Sequence, residues 1–239
     1  LWSNQKNMGI FDLFRKRKNE ADSNIKPQQH TAQQPAQYQR ALQFNAEFAE
    51  LLGGDSFIAR SDYKHFISEY QEEYKLFCSI NEANILKDYV CKNNLDVSQI
   101  EAFIKHYAEI QDLTQESATI KKHNNKFIAN HLESEKEYLD NILKECDPVI
   151  LLDEEQREVV LSDEDHTLVI AGAGAGKTTT VAAKVRYLVD KQGVDPRQIL
   201  VISFTNKAVD ELRDRINHML KIPCEITTFH SISYSILRK

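Results

Sequence analysis

Between an apolar run, His166-Thr167-Leu168-Val169-Ile170, and an amphipathic stretch from Thr179 to Lys191, the chain reads Ala171-Gly172-Ala173-Gly174-Ala175-Gly176-Lys177-Thr178. A strand, a glycine-rich turn and a helix in that order are the setting in which such a loop cradles phosphate. Glycines let successive backbone N–H groups turn inward around phosphate oxygens. The helix opening at Gly176 directs the positive end of its dipole at the same anion. In this pattern Lys177 reaches the β- and γ-phosphates, and the Thr178 hydroxyl takes a place on Mg²⁺. The binding segment is therefore Ala171 to Thr179. Ala171 stands where the strict pattern has glycine, which is acceptable if its backbone keeps negative φ. A flexible Gly/Ala turn is the bland alternative, and the placement of Lys177-Thr178 argues against it.

The rest of the 239 residues sets bounds. Hydrophobic residues make up 41% of the chain, enough for a sizeable core in one or two domains. A net charge of −6 and a pI near 5.8 do not suit a general nucleic-acid coat, so any such contact must be local. Cys78, Cys91, Cys146 and Cys224 lie far apart, without zinc spacing or a disulfide framework. With no apolar run of membrane-spanning length and no signal peptide, the expected location is the reducing cytoplasm. Met8 looks like a natural start after seven upstream residues, and the chain stops at Lys239 without a tapering tail, so a fragment is expected.

Residues 10–18 join Ile10, Phe11, Leu13 and Phe14 to a basic run, a pattern compatible with a surface-docking helix or with a frayed tail. Residues 19–37, rich in Gln, Asn, Pro and Ala, read as linker, so residues 1–37 are expected to form a disordered tail. A helical module is expected over 38–147. One helix carries Ala41, Phe44, Phe48 and Leu51; a second runs from Tyr63 to Phe77; a third holds Leu86 and Val90 and closes at Asn93-Asn94. Ser98 with Glu101 predicts a capping box for a fourth. Ile128, Leu132, Leu139, Ile142 and Cys146 are spaced as in a two-helix or coiled-coil arm. The aromatics sit on single helical faces and read as core in preference to a base-stacking platform. His65, His106, His123 and His131 read as ordinary helix residues.

Asp147-Pro148 breaks the helical run and marks the expected domain boundary. Beyond it the pattern alternates: helix 153–162, strand 166–171, helix 177–191, strand 199–204, helix 206–220, strand 225–228, helix 230–238. Repeated βα units predict an α/β fold with a parallel sheet covered by helices. Ile199 to Ile202 is a continuous apolar run, as in a buried parallel strand.

Four segments occur in a telling order: Leu152-Asp153-Glu154-Glu155-Gln156-Arg157, the Ala171–Thr178 loop, Ser203-Phe204-Thr205-Asn206-Lys207-Ala208 and Thr228-Phe229-His230-Ser231. Together they resemble the opening motifs of superfamily 1 DNA helicases of the UvrD/Rep type, closest to the helicase IV branch. The resemblance covers residues 148–239. It implies the amino-terminal part of an ATP-binding domain with a P-loop NTPase (RecA-like) parallel sheet, incomplete here, and the cofactors ATP and Mg²⁺. It assigns Gln156 to adenine, an edge that an amide can read bidentately; the other reading makes Gln156 the third residue of a capping box begun by Asp153. Arg157 is expected to flank the nucleotide. Phe204, Thr205 and Asn206, with Thr228, Phe229 and His230, are expected to contact single-stranded DNA, though Thr205 and Asn206 also suit a helix cap. His230 lacks a carboxylate partner nearby in sequence and does not read as a catalytic base.

The resemblance implies an ATP-dependent DNA helicase or translocase, moving 3′ to 5′ and associated with DNA repair. Such proteins continue with an Asp-Glu pair and with arginine fingers. Asp163-Glu164-Asp165 precedes the phosphate loop and is not that pair. The chain alone is therefore expected to bind Mg-ATP weakly and to turn it over negligibly. The competing expectation is a helicase-like ATP-binding protein that remodels RNA polymerase, or engages a repair protein, through residues 38–147.

Overall fold

A computed structural model of the protein describes residues 34–238. The expected tail lies almost wholly outside the described residues, as does the 10–18 segment. The described residues form two compact units, one reaching Asn125 and taking in Asp163–Asp165, the other built from Lys126–Ser162 and His166 onward.

The first unit is helical. It comprises α1 (Ala36–Gly53), α2 (Arg60–Glu69), α3 (Gln71–Glu82), α4 (Leu86–Asn93), α5 (Val97–Ile110) and the start of α6 (Ala118–Ser134). Helix α1 begins two residues before Tyr38, directly after Pro35. Phe44 is the centre of the core: its ring lies 5.0–5.7 Å from those of Phe48, Phe66, Tyr70 and Phe103. These aromatics are buried, as their single-face spacing predicts. The helix expected over 63–77 is instead two, because Tyr70 leaves helical geometry at φ −116° and ψ 13°. That turn puts its ring against Phe44 and its hydroxyl 2.9 Å from Glu47 Oε2. The cap of α5 also differs from expectation: Asp96, not Ser98, is the N-cap, and its Oδ1 accepts from Ser98 N at 2.9 Å.

Buried Asn124 ties α6 to the segment before α2. It donates to Ile58 O at 3.0 Å and accepts from Ile58 N at 2.9 Å. Asn124→Ala leaves both backbone groups without this partner, and thermal melting is expected to show a loss of about 1–3 kcal/mol. The acidic triplet belongs to the same unit. Glu164 Oε1 accepts from Arg60 N at 3.1 Å and Asp165 Oδ2 from Ser61 N at 2.8 Å, so these carboxylates cap α2. Asp62 sits beside them; burial and, to a lesser degree, these neighbouring negative charges raise its pKa.

The second unit holds the end of α6, then α7 (Lys136–Asn141), α8 (Glu154–Leu161), α9 (Lys177–Asp190), β1 (Leu200–Ser203), α10 (Asn206–Arg213), β2 (Glu225–Thr228) and α11 (Phe229–Leu237). A π-helical turn, Asp214–Met219, continues α10. The strands pair in parallel, with Leu200 opposite Glu225 and Ser203 opposite Thr228. This is α/β architecture with a parallel sheet.

Three expectations change in the second unit. Residues 128–146 fall largely on two helices, α6 and α7, but form no free-standing arm: Leu139, Ile142 and Leu143 are buried in one core with Leu152, Val160 and Ile216. The spacing that suits a seam suits a folded-back helix equally well. As a result the compact unit begins well before Asp147-Pro148. Residues 166–171 form no strand, and Leu168 and Ile170 are 85% and 90% exposed. A strand exists only through the ladder it shares, and neither β1 nor β2 pairs with this run. Finally, β1 is buried on one face only: Val201 faces the core while Leu200 and Ile202 are exposed. Among the described residues no helix is long and apolar enough to cross a membrane.

Candidate nucleotide and nucleic-acid site

The loop geometry follows from its glycines. Gly174 and Gly176 take φ of +78° and +70°, values that cost L-residues about 1–2 kcal/mol. Among the described non-glycine residues only Asn84, Asn94 and Lys221 have positive φ, so Ala171 occupies its place without strain. Gly176 is the N-cap of α9 and has no side chain to close the helix end. The first N–H groups of a helix lack intrahelical acceptors, and here they follow directly on the glycine turn. The Lys177 ammonium folds back over the loop, donating to Gly172 O at 2.6 Å and Ala171 O at 3.2 Å. Exposed carbonyls thus hold the cation where an anion would compete for it. Thr178 and Thr179 lie in the same first turn, and Thr180 Oγ1 donates back to Gly176 O at 3.2 Å.

The structure shows the capping role of Gln156 and places its amide beside the loop. This residue closes a capping box, with Gln156 N donating to Asp153 Oδ1 at 2.8 Å and Asp153 N donating to Gln156 Oε1 at 3.1 Å. Its Nε2 donates to Ala175 O at 3.3 Å, which brings the amide against the loop. The approach is so close that a Cβ added at Gly176 would stand 2.5 Å from Gln156 Nε2. Arg157 is engaged elsewhere: it donates to Leu152 O at 2.8 Å and pairs with Asp140 at 2.6 Å. Lys184 on α9 holds the other end of α8, donating to Val160 O at 2.9 Å.

The parallel register brings the second set of residues together. Ser203 lies opposite Thr228, so Phe204-Thr205-Asn206 and Thr228-Phe229-His230 leave neighbouring strands at the same carboxyl end. Thr205 Oγ1 accepts from Ala208 N at 3.2 Å and Thr228 Oγ1 from Ser231 N at 3.2 Å, capping α10 and α11. Thr228 is buried, whereas Asn206 and His230 are exposed. Phe204 and Phe229 project with 84% and 63% exposure, two aromatic faces beside two helix starts. Burial raises the Cys146 and Cys224 thiol pKa values, so neither supplies a ready thiolate.

Comparison with known proteins bears on this arrangement. The profile of the UvrD/REP helicase N-terminal domain matches residues 152–239. That stretch carries α8, the loop and both strand ends. Over this stretch the chain is similar to UvrD/REP helicase N-terminal domains. A probable DNA helicase II homolog of Mycoplasma capricolum is 40% identical over 104 residues, 42% of this chain and 13% of that protein. The ATP-dependent DNA helicase PcrA of Staphylococcus epidermidis is 40% identical over 91 residues, 37% of this chain and 12% of that protein. PcrA of Staphylococcus aureus is 40% identical over 88 residues, 36% of this chain and 12% of that protein. The chain thus spans a small part of the curated relatives it matches.

Sequence reasoning named the loop residues but missed what holds them. The Arg157–Asp140 pair and the contact of Arg215 Nη1 with Thr179 Oγ1 at 3.0 Å join positions 17 and 36 residues apart. The only local sign was the i,i+4 spacing of Glu211 and Arg215, an ordinary helical ion pair.

Proposed function

We propose that the UvrD/REP segment binds Mg-ATP in the Ala171–Thr179 loop and single-stranded DNA at the carboxyl ends of β1 and β2, as part of an ATP-dependent 3′–5′ DNA helicase built on a P-loop NTPase fold. The observation that carries the reading is the loop itself, with its positive-φ glycines leading into Lys177 and Thr178 at a helix start. The residues fit the group: backbone N–H groups and Lys177 offer charge and donors to phosphate, and Thr178 offers a hydroxyl to the metal. Bound Mg²⁺ would supply neutralisation of phosphate charge. Gln156 keeps its capping bonds to Asp153 while its Nε2, now on Ala175 O, is the group to turn toward adenine. Arg157, engaged with Asp140 and Leu152 O, contributes by anchoring α8.

DNA binding rests on Phe204 and Phe229 as stacking faces, with Thr205, Asn206, Thr228 and His230 around them. Every base offers a π-face, and each stacked base is worth about 1–3 kcal/mol. Fluorescence anisotropy with a labelled oligothymidylate is the test. Phe204→Ala is expected to weaken binding about tenfold, whereas unchanged affinity in both Phe204→Ala and Phe229→Ala removes this assignment.

A further inference from the structure

One side chain links the first turn of α9 to α10, the helix that opens at the proposed DNA contacts. Arg215 stands in the π turn that continues α10. Its Nη1 donates to Thr179 Oγ1 at 3.0 Å, and its Nη2 pairs with Glu211 Oε1 at 3.3 Å. Thr179 lies in the first turn of α9, directly after Lys177 and Thr178. Glu211 lies on α10, the helix capped by Thr205 and opened by Asn206. Arg215 is also held by its backbone, whose carbonyl accepts from Leu220 N at 3.0 Å and from Cys146 Sγ at 3.7 Å. Leu212 and Ile216 on either side of it are buried. The guanidinium therefore has a fixed base and a fork that spans the two helices. π turns interrupting α-helices occur frequently at functional sites.

We propose that Arg215 is a positioning residue that couples nucleotide occupancy of the loop to the DNA-contacting end of α10. Phosphate binding draws Lys177 and Thr178 toward the anion, and Thr179 moves with the turn that contains them. Hydrogen bonds weaken steeply with misalignment, so a small displacement of the Thr179 hydroxyl is felt at the guanidinium. From Arg215 a hydrogen-bonded helix runs roughly 14 Å back to Asn206, at about 1.5 Å per residue. A helix is stiff along its axis, so displacement at one end reaches the other. The coupling must be reciprocal: whatever nucleotide does to DNA affinity, DNA does to nucleotide affinity.

This inference rests on the nucleotide and single-strand assignments, and the experiment separates its failure from theirs. Affinities of the full chain are measured for a fluorescent non-hydrolysable adenine nucleotide with Mg²⁺ and for a labelled oligothymidylate, each with and without the other ligand. The wild type is expected to show a coupling factor of at least about fivefold, in either direction, equal in both halves of the cycle. In Arg215→Ala the factor falls to about one, with each ligand alone bound within about threefold of wild type. Arg215→Lys keeps the charge but not the fork and gives an intermediate factor. It also serves if the alanine variant does not fold. Arg213, whose Nε and Nη2 donate to Ile226 O at 3.1 and 2.7 Å, is the structural control. Arg213→Ala keeps the wild-type factor even where it melts earlier. Failure of the wild type to bind either ligand overturns the functional reading and this inference with it. Binding of both ligands without coupling, or with coupling that survives Arg215→Ala and Arg215→Lys, overturns this inference alone.

Discussion

Gly176→Ala removes nucleotide binding and lowers the melting temperature. Two independent effects converge on one methyl group. The backbone at this position has φ of +70°, where any L-residue other than glycine is strained by about 1–2 kcal/mol. The added Cβ would also meet Gln156 Nε2 at 2.5 Å, well inside contact distance. Relief requires either the loop to shift or the Gln156 amide to swing off Ala175 O, which gives up the bond that holds it against the loop. The matched control is Gly172→Ala, where a Cβ meets nothing within 4 Å and φ is not positive. That variant is expected to melt with the wild type. Differential scanning fluorimetry with and without Mg-ATP reads both quantities. An unshifted Gly176→Ala that retains nucleotide affinity contradicts this account of the loop.

Lys177→Ala separates function from stability. In the folded chain the ammonium bonds only exposed loop carbonyls, Ala171 O and Gly172 O. Replacing an exposed side chain of this kind changes stability by no more than about 0.5 kcal/mol. Its loss from a bound triphosphate is a different matter, because hydrogen bonds to charged groups are worth about 1.5–3 kcal/mol. The expected result is an unaltered melting temperature without ligand and a nucleotide affinity about 10–100-fold weaker. Calorimetric titration measures the second term directly. A variant that binds as well as the wild type places the nucleotide elsewhere.

What the sequence makes legible here depends on how local the deciding contact is. Strand β2 and helix α9 appear close to where the apolar pattern puts them, since their boundaries are set by Thr228, Gly176 and nearby turn residues. The loop is legible for the same reason: each of its parts acts on backbone within a few residues. The run 166–171 has strand composition but no partner ladder, and composition cannot supply one. Tyr70 looks like one more residue on an apolar helical face; its break comes from a ring packed on Phe44, 26 positions away in the chain. The choice of Asp96 over Ser98 as cap is a two-residue shift between equally good capping types. Leu139 and Ile142 show the same ambiguity in another form, because a coiled-coil seam and a buried helix face share one spacing. The Arg215–Thr179 contact has no local signature at all, since either residue alone looks like an ordinary helical surface position.

Isothermal titration of the full chain with Mg-ATP tests the central claim most directly, with Lys177→Ala and Gly176→Ala run beside it. The account predicts saturable one-to-one binding by the wild type, weakened in the first variant and absent in the second. No heat and no ligand-induced melting shift in the folded wild type, or equal binding by all three proteins, would contradict it.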